Sequence, residues 1–259
     1  MLELFRAGEH LYCMQRRWGH HRRRNDAIIF AGRGAFTLVE LLVVIAIISI
    51  LAGLLLSALA RSKEKAHQTT CINNLHQDAM AFQMYHSDYN DKFPGPGSKS
   101  EYGPQPEDWI WWQPDRDVSQ SQIARFIGQF NASLFTCPSD RTAWSLQAHP
   151  DLSGANPYPY SYSLTSYSLD SNNQNPGMAT IVDRDRKEYA FKISSVNRPS
   201  AKIMLAEEDR NTLDDARWVP ATTLTDRHGG KGDDAFADGH VQTVAPDFGE
   251  DTANSDPLP

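Results

Sequence analysis

Residues 34–60, GAFTLVELLVVIAIISILAGLLLSALA, decide the architecture. The nineteen residues Leu41–Leu59 carry no charge, which as a helix is enough to cross a bilayer core of about 30 Å. The one acid at their start is Glu40. A carboxylate near the beginning of a spanning helix costs roughly 2.5–3.5 kcal/mol on insertion scales, so Glu40 needs a cationic partner. Ahead of the run, residues 1–35 hold seven Arg (Arg6, Arg16, Arg17, Arg22, Arg23, Arg24, Arg33) against Glu3, Glu9 and Asp26. That imbalance keeps this end cytoplasmic and sends the bulk of the chain across the membrane. An ordinary secretory signal has an apolar core of about 7–15 residues before its cleavage site; the longer run here persists as an anchor.

The same segment resembles the N-terminus of type IV pilins and type II secretion pseudopilins, the prepilin-type cleavage and methylation segment. The resemblance implies that prepilin peptidase cuts between Ala35 and Phe36, that Phe36 becomes the N-methylated terminus, and that Glu40 is the fifth mature residue. Two departures stand out: Ala35 occupies the place usually held by Gly, and Ser57 the place where many members have Pro. Serine keeps the backbone hydrogen bond that Pro would delete, so no kink is expected there. The resemblance further implies partners: like or related pseudopilin subunits, an inner-membrane assembly platform, and Glu40 paired with the terminal amine of a neighbour's Phe36.

The formal charge of −7 becomes about −11 once the leader's seven Arg and three acids are set aside. An acidic exterior argues against nucleic acid as a partner, since phosphate neutralisation supplies most nonspecific affinity. With Cys13 removed in the leader, Cys71 and Cys137 remain as an even pair in a compartment that permits disulfides. A bridge would close a loop of about 65 residues and add about 2–4 kcal/mol; the alternative is two buried thiols.

Beyond the apolar run, Ile72, Leu75, Ala79, Phe82, Tyr85 or His86, and Tyr89 recur at three- and four-residue steps. Arg61, Lys63, Glu64, Lys65, Gln68, Gln77 and Asp78 fall between them and are expected outside. One continuous helix from Phe36 to about Tyr89 would measure about 80 Å, stopped by Asn90-Asp91 and the Pro94-Gly95-Pro96-Gly97 cluster. Its first half, 36–60, belongs in lipid or a filament core; its second, 61–90, presents one apolar face to a globular domain spanning 91–249. A flexible tail, 250–259, follows.

In that domain, alternation puts Trp109 and Trp111 on one side of a possible strand, where core packing competes with a sugar-stacking platform. Ser119–Gly128 reads as a short helix capped by Ser119 or Ser121, with Ile123, Phe126 and Ile127 inward. LFTCPSD (134–140) reads as a strand end and turn. Residues 150–178, rich in Asn, Ser, Pro and Tyr, read as irregular surface structure or short edge strands. Within them Asp170–Asn175 offers oxygen ligands for calcium but lacks the ordered spacing of a calcium loop, so a solvated loop is favoured. Ala201–Ala206 reads as a central strand running into Glu207-Glu208-Asp209. Asp238-Gly239 between apolar flanks predicts a hairpin with a type I′ turn.

His228, nine residues, then Asp238-Gly239 resembles the H-x9-D-G domain found at the carboxyl end of a subgroup of prepilin-like proteins; Cys71-Ile-Asn-Asn-Leu75 and Cys137-Pro-Ser-Asp140 extend that likeness along the mature chain. His228, Asp238 and His240 carry the residue types of metal or acid–base sites, yet the turn accounts for Asp238 and Gly239, and no third ligand has diagnostic spacing. No phosphate loop, nucleophile elbow or zinc helix motif is present.

The expected fold is α+β: a pilin-like lollipop with a long N-terminal helix on a small antiparallel sheet with long loops. The expected function is structural and non-enzymatic, without cofactor or metal: a single-pass inner-membrane pseudopilin with its domain in the periplasm. The competing class is a membrane-tethered glycan-binding protein or hydrolase using the Trp109/Trp111 face or the His228, Asp238 and His240 group.

Overall fold

The computed structural model describes residues 36–98, 103–140, 158–167, 177–183, 185–220 and 222–258. Helix α1 runs from Leu38 to Asp88. The chain divides into two contact units, one ending at Leu51 and the other spanning Ala52–Pro259.

In the first unit the helix surface is apolar and exposed from Leu38 onward. Across the Leu41–Leu59 run, which continues past the unit boundary, the hydroxyls are satisfied within the helix: Ser49 donates to the Ile45 carbonyl at 2.7 Å and, in the second unit, Ser57 to that of Leu54 at 2.9 Å. A serine in an apolar helix thus leaves no polar group unpaired in lipid. Among the described residues α1 is the one helix long and apolar enough to cross a membrane, with a window of mean hydropathy 2.9.

In the second unit a five-stranded sheet has the order β5-β1-β4-β6-β7, from strands β1 Tyr162–Thr165, β4 Ile203–Glu207, β5 Arg217–Trp218, β6 Gly232–Phe236 and β7 Val241–Val244. Strands β2 Ile181–Val182 and β3 Glu188–Tyr189 form a separate pair. The main sheet is antiparallel except at β5, which lies parallel to β1. The roughly fifty residues between those strands, carrying β4, supply the long crossover that parallel pairing needs.

Both faces of the sheet are covered. On one, Cys71, Leu75, Ala79, Phe82 and Tyr85 of α1 share a core with Tyr162, Leu164, Leu205 and Ala235. On the other, Ile203, Ala206, Trp218, Leu224, Phe236 and Val244 form a second cluster with Phe248 against it. A register shift between Ile203 and Leu205 puts Met204 and Leu205 together in the first core, as a bulge does when it re-aims a side chain.

Several expectations are corrected here. Gln68 and Asp78 are buried on the inward face of α1, whereas Tyr89 is exposed and stacks on Tyr85. The helix stops where Asn90 and Asp91 take positive φ of 57° and 64°, a conformation these side chains tolerate. WIWW (109–112) is a loop with no shared Trp face. Trp109 and Trp112 are buried and donate to the carbonyls of Ala216 and Gly97, while half-buried Trp111 lies under the Arg116 guanidinium at 3.8 Å.

The expected helix at 119–128 is two 3-10 turns, Val118–Gln120 and Ala124–Phe126, the first capped by Asp117. Residues 134–140 likewise hold no strand end: Leu134 and Phe135 close a 3-10 turn, Ala132–Phe135, capped by Asn131. β1 is a fully buried interior strand where edge structure was expected. Residues 250–258 are not a tail: helix α2, Thr252–Ser255, follows a 3-10 turn, Lys202 Nζ donates to the Ala253 carbonyl, and Asn197 donates to that of Pro257. The Asp170–Asn175 segment lies outside the described residues.

Candidate functional site

At the start of α1, Thr37 and Glu40 cap the helix reciprocally. The Thr37 N–H and hydroxyl both donate to Glu40 Oε2 at 2.8 Å, and the Glu40 N–H donates to Thr37 Oγ1 at 3.2 Å. This is a capping box, in which two orphan N–H groups of the first turn find acceptors. The pattern T-x-x-E at 37–40 is the sequence signal of this cap, so Glu40 has a role within its own helix beside the expected intermolecular one. Phe36, just ahead of the box, is 68% exposed; Ala35 lies outside the described residues. Among those residues only Thr37 hydrogen-bonds the Glu40 carboxylate, so Oε1 is left for another donor.

Within the second unit a polar group is buried beside the cystine. Cys71 on α1 and Cys137 are disulfide-bonded, with Cα atoms 5.1 Å apart. His228 Nε2 lies 3.4 Å from Cys137 Sγ, 3.3 Å from Glu207 Oε2 and 3.6 Å from Asp233 Oδ2; Nδ1 faces Glu64 Oε1 at 3.3 Å. Arg227 spans Glu207 Oε1 at 3.2 Å and Asp140 Oδ2 at 3.1 Å. The backbone N–H of Asp233 donates to Glu207 Oε2 at 3.0 Å, and Ser161 Oγ donates to Asp140 at 2.9 Å. Gln68 donates to Asp233 Oδ1 at 3.2 Å, and Thr243 bonds the same oxygen.

Burial opposes charge on His228, but the hydrogen bond and charge of Glu207, with Asp233 and Glu64, outweigh it and raise the imidazole above its ordinary value. Burial likewise raises Asp233 and, well above the usual carboxylate range, Asp234.

The H-x9-D-G residues are split. Asp238 and Gly239 sit at the hairpin tip, separated from His228 by strand β6. Only Gly239 has positive φ there, 92°, with its N–H bonded to the Phe236 carbonyl and the Phe236 N–H to that of His240. The connection is therefore a three-residue loop ending in a left-handed Gly, not the expected type I′ turn. His240 stacks on Phe236 at 4.4 Å and pairs through Nδ1 with Asp238 Oδ1 at 2.6 Å. The structure thus does not bring His228, Asp238 and His240 into one site. It gives His228 partners that no spacing rule pointed to: Glu64, Glu207 and Asp233. The two adjacent acid pairs, Glu207-Glu208 at the end of β4 and Asp233-Asp234 within β6, all buried, were the available signal, because unpaired acids are almost never buried.

Residues 31–56 match the family model described as the prokaryotic N-terminal methylation motif. With the long apolar helix, the match supports a pilin-type subunit that prepilin peptidase processes and that associates with pilin-like subunits. No curated protein and no solved structure matches the chain.

Proposed function

We propose that this chain is a pseudopilin-like structural subunit with no catalytic role: cleaved between Ala35 and Phe36, N-methylated at Phe36, and assembled through its N-terminal helix into a type II secretion or type IV pilus-like filament. The carrying observation is the methylation motif at 31–56, and the capping geometry of Glu40 supports it. Thr37 occupies one carboxylate oxygen and orients the other at the helix N-terminus, where a neighbour's Phe36 amine would complete the pair. A buried ion pair offsets its desolvation only with good geometry, so a pre-oriented carboxylate suits a contact that sets axial register. The arginine-rich leader puts the N-terminus in the cytoplasm and the domain in the periplasm. The carboxyl-terminal half, with His228, Asp238 and Gly239, fits the H-x9-D-G group.

Mass spectrometry of the mature N-terminus tests processing, and methyl-Phe36 is the expected species. Glu40→Leu should still insert and be cleaved but be absent from sheared filaments. Incorporation of Glu40→Leu at the wild-type level would refute the pairing mechanism.

A further inference from the structure

The sulfur atoms of Cys71 and Cys137, a carboxylate oxygen of Glu207 and an imidazole nitrogen of His228 all lie within 4.8 Å of one another, and all four residues are buried. Three separate elements and a loop deliver them: α1, the turn after Phe135, the end of β4, and the loop before β6. Two sulfurs, one imidazole and one carboxylate are donors that tetrahedral Zn2+ accepts, at about 2.3, 2.0 and 2.0–2.2 Å. Such bonds put neighbouring ligand atoms roughly 3.3–3.8 Å apart. The observed separations of 3.4 Å from His228 Nε2 to Cys137 Sγ and 3.3 Å to Glu207 Oε2 fall in that range.

The outer partners are also in place. Glu64 faces Nδ1 of His228, fixing the ring so that Nε2 points at the sulfurs, and Arg227 holds the second oxygen of Glu207. Carboxylate-oriented histidines of this kind are the usual support of zinc ligands. Asp233 Oδ2 adds a buried oxygen, without a hydrogen bond among the described residues, 3.6 Å from His228 Nε2. Two thiolates and one carboxylate around Zn2+ leave a single negative charge, and the facing cation is Arg227, which Glu207 shares with Asp140.

We propose that the reduced chain binds Zn2+ through Cys71, Cys137, Glu207 and His228, so that the link between α1 and the sheet exists in two interchangeable forms, a disulfide and a zinc bridge. A dithiol reductant passes two electrons and two protons to the Cys71–Cys137 bond and is itself oxidised to a disulfide. Zn2+ then displaces the two thiol protons to solvent as it forms two Zn–S bonds. Oxidation of the two thiolates by a disulfide oxidant reverses the exchange and releases the metal. The groove that reaches His228 carries Lys65 and Lys231, so the metal loads best while the reduced chain folds.

The test uses the full chain in detergent, refolded with Zn2+ after reduction by a phosphine, which does not compete for zinc, and then desalted. One equivalent of zinc is expected in the reduced chain and none in the oxidised one. Co2+ in place of Zn2+ should give a thiolate-to-metal charge-transfer band. Zinc should also raise the melting temperature of the reduced wild type relative to the same protein in chelator. His228→Ala should lose the stoichiometric metal. Glu64→Ala, at a side chain 46% exposed, should weaken zinc about 10–100-fold and shrink the zinc-dependent melting shift of the reduced form in proportion. Reduced wild type that retains no zinc, or shows neither the sulfur band nor the melting shift, overturns the proposal; undiminished binding in His228→Ala overturns this ligand set.

Discussion

His86 is the perturbation with the clearest predicted signature. It lies on α1, 3% exposed, with its ring edge-on to Phe93 at 4.5 Å and further ring contacts to Phe82 and Tyr85. Among the described residues neither ring nitrogen has a hydrogen-bond partner. Burial therefore pushes the imidazole from 6.5 down to about 4, with Asp91 only partly opposing it. The unfolded chain takes up this proton below pH 6.5, while the native chain refuses it until about pH 4. The contribution of neutral His86 is thus fully present above pH 6.5 and is lost as pH falls through 4. At about 1.4 kcal/mol per pH unit, the gap amounts to about 3 kcal/mol.

His86→Phe removes the titration and keeps an aromatic ring among Phe82, Tyr85 and Phe93. Guanidinium unfolding of the full chain in detergent, followed by tryptophan fluorescence, should show wild type losing about 3 kcal/mol more than His86→Phe between pH 7 and pH 4. Parallel stability curves for the two proteins would refute the account of a buried, unpartnered imidazole.

The Cys71–Cys137 bond spans 66 residues, and the chain-entropy relation gives about 4 kcal/mol for a loop of that size. Cys71→Ala with Cys137→Ala, free of metal, should lose about that much in the same unfolding assay. Trp109→Ala removes a fully buried indole and its bond to the Ala216 carbonyl and should cost about 3–5 kcal/mol. Trp111→Ala loses chiefly the Arg116 contact, about 0.5–1 kcal/mol, and by calorimetry with soluble glycans should leave no binding to be lost. Thr37→Val removes the hydroxyl from the capping box, worth about 1 kcal/mol at the helix start. Sheared filaments should contain less of Thr37→Val than of wild type but more of it than of Glu40→Leu.

The anchor was readable because its signal is local. A charge-free run long enough for a bilayer needs no tertiary partner to be helical, and Thr37 and Glu40 are three residues apart, within reach on one turn. β4 was readable for a related reason: a short, nearly continuous apolar run suits a strand covered on both faces. The polar residues on the inward stripe of α1 were not. Gln68, Asn74 and Asp78 look like solvent-facing residues by type, and only contact with the sheet and with the loop at 133–136 turns them inward. β1 was missed likewise, since Ser163 and Thr165 look like edge-strand residues until Asp215 and Ile203 supply acceptors.

By itself the sequence determined that one helix is long and apolar enough to cross a membrane, where that helix starts and stops, and that an α+β domain follows. Tertiary structure decided which acids belong to His228. Glu64, Glu207 and Asp233 are separated by as many as 169 positions, and their meeting point follows from α1 packing across β4 and β6. Backbone periodicity fixes which face a residue occupies, but only the packing of one face on another fixes which charge lies opposite.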